Sequence, residues 1–174
     1  MIRKDGFTLI EVVLYLGLIS IMMGVFLINQ KNKEQMKEMG VAKKEITQFI
    51  RKIQQTSYYS KKEYTLDVKI SNKVMSYVDD SNRLQKLELP RNISYMSNNI
   101  NKYEDFTRTT TINGNFEKGF SIYLLDKSKK KIYYRISINT INSIKYPIIS
   151  IYKAKKSINI NEDYSDEKLW SEEM

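Results

Sequence analysis

The stretch GFTLIEVVLYLGLISIMMGVFLI, residues 6–28, carries one charged side chain, Glu11. A carboxylate at the centre of a membrane helix costs about 2.5–3.5 kcal/mol, less near an end, so Glu11 calls for a partner of opposite charge. A second group with chemical potential is Lys129-Lys130-Lys131, just ahead of Tyr133-Tyr134. Lysines can neutralise phosphates and tyrosines can stack on unpaired bases, which makes this a possible DNA contact. The plainer reading is a solvated lysine run beside a strand whose tyrosines alternate between core and surface. Asp79-Asp80 and Glu172-Glu173 are paired carboxylates, but they stand in turn-like and tail sequence. Asp126 and Glu117 lack the regular ligand spacing of a calcium loop.

The chain has no histidine and no cysteine. That removes histidine acid–base catalysis, Ser-His-Asp and Cys-His nucleophiles, cysteine or histidine metal sites, and disulfides. Its six glycines are scattered and form no phosphate-binding loop. The expectation is a protein that is not an enzyme, with no catalytic residues, no metal and no cofactor.

At 174 residues the chain fits one compact domain plus an appendage. Charge is divided along it. From Asn161 onward six carboxylates face one lysine, a net of −5, which leaves +14 on the preceding residues of a chain whose total is +9. A basic body with an acidic end can meet polyanions or complementary protein surfaces, although charge runs are commonly solvated faces. Lysine, asparagine and isoleucine are abundant throughout, as nucleotide bias alone would produce.

No charge occurs between Val12 and Ile28, and at about 1.5 Å per residue the helix from Phe7 to Ile28 spans a hydrocarbon core of roughly 30 Å. Arg3 and Lys4 precede it, which favours a cytoplasmic N-terminus with the body outside. The downstream flank FLINQKNKEQMKE offers no small-residue cleavage site of the secretory kind, so the apolar helix is expected to be retained.

Gly6-Phe7-Thr8-Leu9-Ile10-Glu11, behind the short basic leader MIRKD, closely resembles the processing signal of type IV prepilins and pseudopilins. The resemblance implies that a prepilin peptidase cuts between Gly6 and Phe7 and methylates the new Phe7 amino group. Glu11 then becomes the fifth mature residue, the acidic position this family uses in assembly. An assembled neighbour's terminal amine would give Glu11 its partner in low dielectric and fix the axial register of apolar helices. Major pilins often carry a kinking proline in the second half of this segment. Here Gly17 and Gly24 occur without one, which points to a minor subunit.

Beyond the apolar run, Met36, Met39, Ala42, Ile46, Phe49, Ile50 and Ile53 recur at three- and four-residue spacing, predicting an amphipathic helix over residues 29–59. The period then changes to two. Tyr64, Leu66, Val68 and Ile70 alternate with polar residues, VMSYV returns after Ser71-Asn72-Lys73, RLQKLEL follows and ends at Pro90, and Asn92–Met96 adds a short strand. Residues 97–118 read as a long polar loop containing Asn113-Gly114. GFSIYLLD, KKIYYRISIN and PIISIYK supply three more strands, with connections at Lys127–Lys130 and Thr140–Tyr146.

The sum is an α+β protein in which a long N-terminal transmembrane-plus-amphipathic helix packs on an antiparallel β-sheet of about five to seven strands. Its divisions are a leader at 1–6, a transmembrane and filament-core helix at 7–28, an amphipathic helix at 29–59, a sheet domain at 60–156 and an acidic tail at 157–174. The tail reads as an unstructured solubilising end in which Trp170 is an anchor for a partner or for the protein's own sheet. The layout resembles minor pseudopilins of the GspH and competence-pilus type, through Leu89-Pro90 and the stretch from Asn113 to Phe120.

The resemblance implies a single-pass protein of the cell membrane. It would be processed by prepilin peptidase and joined with other pilins and a membrane assembly platform into a type IV pilus, competence pseudopilus or type II secretion pseudopilus. Two alternatives stand beside it. One is a pseudopilin that contacts DNA during uptake through Lys129, Lys130 and Lys131. The other is an uncleaved anchored ectodomain in which Glu11→Ala would change nothing.

Overall fold

The computed structural model describes residues 8–99, 101–140 and 149–173. The expected Thr140–Tyr146 connection therefore lies, past Thr140, outside the described residues. Among the described residues one α-helix, α1 (Leu9–Ser60), is followed by nine strands in two antiparallel sheets, which makes the fold α+β. The chain divides into two compact units, residues 1–37 and 38–174.

In the first unit α1 presents every large apolar side chain from Leu9 to Ile28 to its surroundings, with Leu9 82% exposed. This half of the helix is long and apolar enough to cross a membrane.

In the second unit α1 changes character with its sequence. Met39, Ala42, Ile46, Ile50 and Ile53 are fully buried, the three-and-four spacing placing them on one face. Phe49 is half-buried and meets Tyr77 edge-on at 5.5 Å. Gln54 and Ser57 extend the buried face to the last turns.

The first sheet comprises β1 (Thr65–Lys69), β2 (Val74–Val78), β3 (Leu84–Glu88) and β5 (Phe106–Thr109), in the order β3-β2-β1-β5. The second comprises β4 (Ser94–Ser97), β6 (Phe120–Leu125), β7 (Lys131–Ile138), β8 (Ile149–Asn159) and β9 (Trp170–Glu172), in the order β4-β6-β7-β8-β9. Both sheets pack on the same helix stripe. Leu66, Val68, Met75 and Tyr77 from one join Tyr95, Ile122, Leu124, Tyr134 and Ile136 from the other in a single core with Ile46 and Ile50.

Alternation accounts for β1, whose Leu66 and Val68 are buried between exposed ends. β6 reads differently: FSIYLL is buried along its whole length, because both of its faces are covered. The second cover is the C-terminal segment. Met96, Tyr123, Leu125, Ile132, Ala154, Ile158 and Trp170 form a separate cluster on that side, edged by Tyr152, Ile160, Tyr164 and Leu169.

Three expectations need correction. The single sheet of five to seven strands is two sheets of four and five. The loop expected over residues 97–118 contains β5, which pairs with β1 from Thr65↔Thr109 to Val68↔Phe106. The acidic tail is folded: Asp166 caps a short 3-10 turn, Glu167–Leu169, and β9 pairs with β8. Trp170 is 6% exposed and its Nε1–H donates to the Tyr164 carbonyl at 2.9 Å, so the anchor docks on the protein's own sheet. Apolar burial of Trp170 and Tyr164 over Tyr123 outweighs the polar composition that made the segment look unstructured.

Candidate functional site

Gly6 and Phe7, the expected cleavage and methylation residues, lie outside the described residues. The structure begins at Thr8, and there it defines a feature the charge argument did not anticipate. Thr8 is the residue before helical Leu9, and Glu11 is the third helical residue. The Thr8 N–H donates to Glu11 Oε2 at 2.8 Å, the Thr8 hydroxyl donates to the same oxygen at 3.0 Å, and the Glu11 N–H donates to Thr8 Oγ1 at 3.4 Å. This reciprocal arrangement is a capping box. It satisfies donors that the first helical turn leaves without intrahelical partners, and it sets a carboxylate at the positive end of the helix dipole. The Thr-x-x-Glu spacing was open to view in the sequence.

Glu11 is therefore held locally by its own helix terminus. Glu11 and Thr8 are exposed, so a charged group from outside the chain can reach the carboxylate.

In the second candidate group the three lysines stay adjacent and exposed, while the tyrosines are turned into the body. Lys129 and Lys130 stand in the turn from β6 to β7, and Lys131 opens β7. Asp126 organises the turn: its Oδ1 accepts the Lys130 and Lys131 N–H groups at 2.8 Å each, and Ser128 donates to its Oδ2. Partial burial raises the Asp126 carboxyl, but the Ser128 hydroxyl and the Lys131 and Lys130 N–H groups prevail and hold it below the ordinary aspartate range. Lys129 has φ +59° and places its ammonium 4.7 Å from the centre of the Tyr103 ring. The tyrosines do not form the exposed stacking pair that base contact requires. Tyr134 is buried beneath Lys43, whose ammonium lies 4.3 Å from the ring centre, and Tyr133 is half-buried against the core.

The carboxylate pairs have structural work. Asp79 Oδ1 accepts from the Ser81 and Arg83 N–H groups at 2.9 and 3.0 Å, and its Oδ2 accepts from Gln85 Nε2 at 2.9 Å. Asp80 pairs with Lys62 at 2.9 Å. Glu173 pairs with Lys43 of α1, and its N–H donates to the Ile151 carbonyl at 2.8 Å. Glu172 lies on β9 opposite Tyr152.

No family model matches the chain, and no curated protein or solved structure matches it either. What its fold defines is a class: an α+β protein with a membrane-length apolar N-terminal helix whose continuation packs on antiparallel sheets. That arrangement is consistent with a pilin-like fold.

Proposed function

We propose that the chain is a minor pilin-like structural subunit, a pseudopilin. Prepilin peptidase cuts it between Gly6 and Phe7 and methylates Phe7. It is held in the cell membrane by residues 7–28 and then enters an extracytoplasmic filament with other pilins on a membrane platform. The observation that carries this reading is the Gly6-Phe7 step placed one residue ahead of a capped helix whose apolar run contains Glu11 as its one charge. Cleavage there would leave Phe7-Thr8 ahead of the helix, so the new amine forms one residue before the Thr8 N–H that donates to Glu11. Assembly then exchanges a local cap for an intermolecular ion pair, or shares the carboxylate between the two.

The helix supports the same reading. An apolar half whose large side chains are all exposed among the described residues needs lipid or other helices. The test is the mass of the N-terminal peptide from full-length chain co-expressed with an active prepilin peptidase. A peptide starting at methylated Phe7 is expected. An intact Met1 terminus, while a control substrate is cut, would remove the pilin reading and leave an anchored ectodomain.

A further inference from the structure

Three turns of the second unit meet at the end where α1 enters it. Lys73, which follows the β1–β2 turn at φ +58°, donates through Nζ to the carbonyls of Arg91 and Ile93 at 2.6 and 2.7 Å. The Ser94 hydroxyl donates to the Lys127 carbonyl at 3.4 Å, which joins the β6–β7 turn to the same corner. Asn92 Nδ2 donates to Glu38 Oε1 at 2.6 Å, which ties the corner to the first residue of the unit.

Lys73, Arg91, Lys127 and Lys129 thus gather round one end of the body. Burial, then the fields of Lys127 and Lys129, push the Lys73 ammonium below the ordinary lysine range, while Glu38 acts in the opposite sense. The acids near this corner are Glu38, whose Oε1 accepts from Asn92 while its buried Oε2 has no hydrogen-bond partner, Asp126, held by its own turn, and Glu88, paired with Lys86 and within the field of Arg91. Two of the cations, Lys73 and Lys129, occupy left-handed backbone positions where glycine or asparagine is the easier residue. Side-chain charge is kept there at a backbone cost.

The position along the chain says what this surface can meet. Glu38 lies ten positions beyond Ile28, the last of the uncharged apolar run. Even as straight helix these positions extend about 15 Å, of which roughly 5–7 Å passes through the headgroup layer. The tether therefore lets Glu38 reach at most about 8–10 Å beyond the headgroup layer, about one Debye length at physiological salt. The tether adds Lys31, Lys33 and Lys37 against Glu34.

We propose that this cationic corner is a docking surface for negatively charged phospholipid headgroups, which holds the body down on the bilayer while the chain is membrane-anchored. It rests on the reading of residues 7–28 as a membrane span. Incorporation into a filament would have to break the contact, so lipid charge would set how readily the subunit leaves the membrane.

The test uses the full chain in nanodiscs, with single cysteines introduced into a cysteine-free sequence and spin-labelled. Ser128→Cys reports on the corner. Asn82→Cys reports from beyond the far end of β2, a strand about 17 Å long. Leu18→Cys reports insertion of the span. The readout is collision with nickel chelated to lipid headgroups. In discs containing phosphatidylglycerol, the label at 128 should collide several-fold more often than that at 82. The excess should disappear in neutral phosphatidylcholine discs and at high salt, and fall about fivefold for each of Lys127→Gln and Lys129→Gln. Equal collision rates in charged and neutral discs, or no salt dependence, would overturn the proposal. So would an oligonucleotide that binds the corner in preference to charged lipid, which would assign it to nucleic acid. A label at 18 that stays in water would bring down the membrane-span reading itself, and the proposal with it.

Discussion

Glu11 caps its own helix, and a single substitution separates that role from the proposed pairing with a neighbour's amine. A capping box tolerates glutamine in place of glutamate, because the amide oxygen still accepts from the Thr8 N–H, whereas alanine abolishes the cap. An intermolecular ion pair needs the charge. If the charge serves assembly, Glu11→Gln and Glu11→Ala should both reduce cross-linking to partner pilins, by tenfold or more. If the cap is the whole story, Gln should assemble as wild type and only Ala should fall. Cross-linking yield in membranes containing the partner subunits decides between them. Gly114 is the other residue whose identity is dictated closely. It has φ +81°, and a Cβ there would stand 2.6 Å from the Gln54 carbonyl oxygen of α1. Gly114→Ala should destabilise the fold by more than about 1 kcal/mol, measured by urea unfolding of the full chain in detergent. Asn113-Gly114 was legible as a turn. The close approach of the helix that makes glycine necessary was not, because it depends on a contact between positions sixty residues apart.

Elements were legible in proportion to how far their own residues determine them. α1 and β1, β2, β3, β6 and β7 announce themselves by period or by a continuous apolar run. β5 offers only Phe106 among polar neighbours, and exists because β1 has a free edge to pair with. β9 is three residues long and acquires meaning only from the uncovered face of the second sheet. That cover makes the C-terminal segment a structural strap. Its ion pair, Lys43–Glu173, joins side chains 16% and 36% exposed, and partly exposed pairs are worth roughly 0–1 kcal/mol. Trp170 is the stronger attachment: Trp170→Ala should cost about 3–5 kcal/mol and lower the Tm by roughly 10–20 °C, while Glu173→Gln shifts it little. The β2–β3 turn contributes to the pH dependence, as do Glu88, Asp126 and Asp163, whose carboxyls are also held low. The Arg83 N–H first, then Gln85 and the Ser81 N–H, hold the Asp79 carboxyl below its ordinary value. A depressed carboxylate stabilises the fold above its unfolded-state pKa, near 3.9, and loses that contribution as pH falls through the lower folded value. Asp79→Asn should therefore flatten the acid limb of the stability–pH curve below about pH 4 and leave its shape at neutral pH unchanged.

At the scale of the whole molecule, two physical signals oppose each other over the direction in which the proposed span would cross the bilayer. Arg3 and Lys4 favour a cytoplasmic N-terminus, but Lys31, Lys33 and Lys37 on the other flank outnumber them, and the lysine and arginine bias close to a span is what sets orientation. Charge alone would turn the body inward. The leader signal, if prepilin peptidase reads it as proposed, requires Gly6 and Phe7 at the cytoplasmic face and the body outside. The conflict is useful because the lack of native cysteine makes every introduced one unique. Asn82→Cys lies in an exposed turn of the body, away from the lysine-rich corner. A membrane-impermeant maleimide should label it in intact cells as fully as after lysis. Labelling that appears only after lysis would show that the downstream lysines win, and would place the body on the wrong side of the membrane for any extracytoplasmic filament. In that event the exchange of the Thr8–Glu11 cap for a neighbour's amine would have no assembly to serve, and Glu11 would remain what its local geometry already makes it, the cap of a long apolar helix.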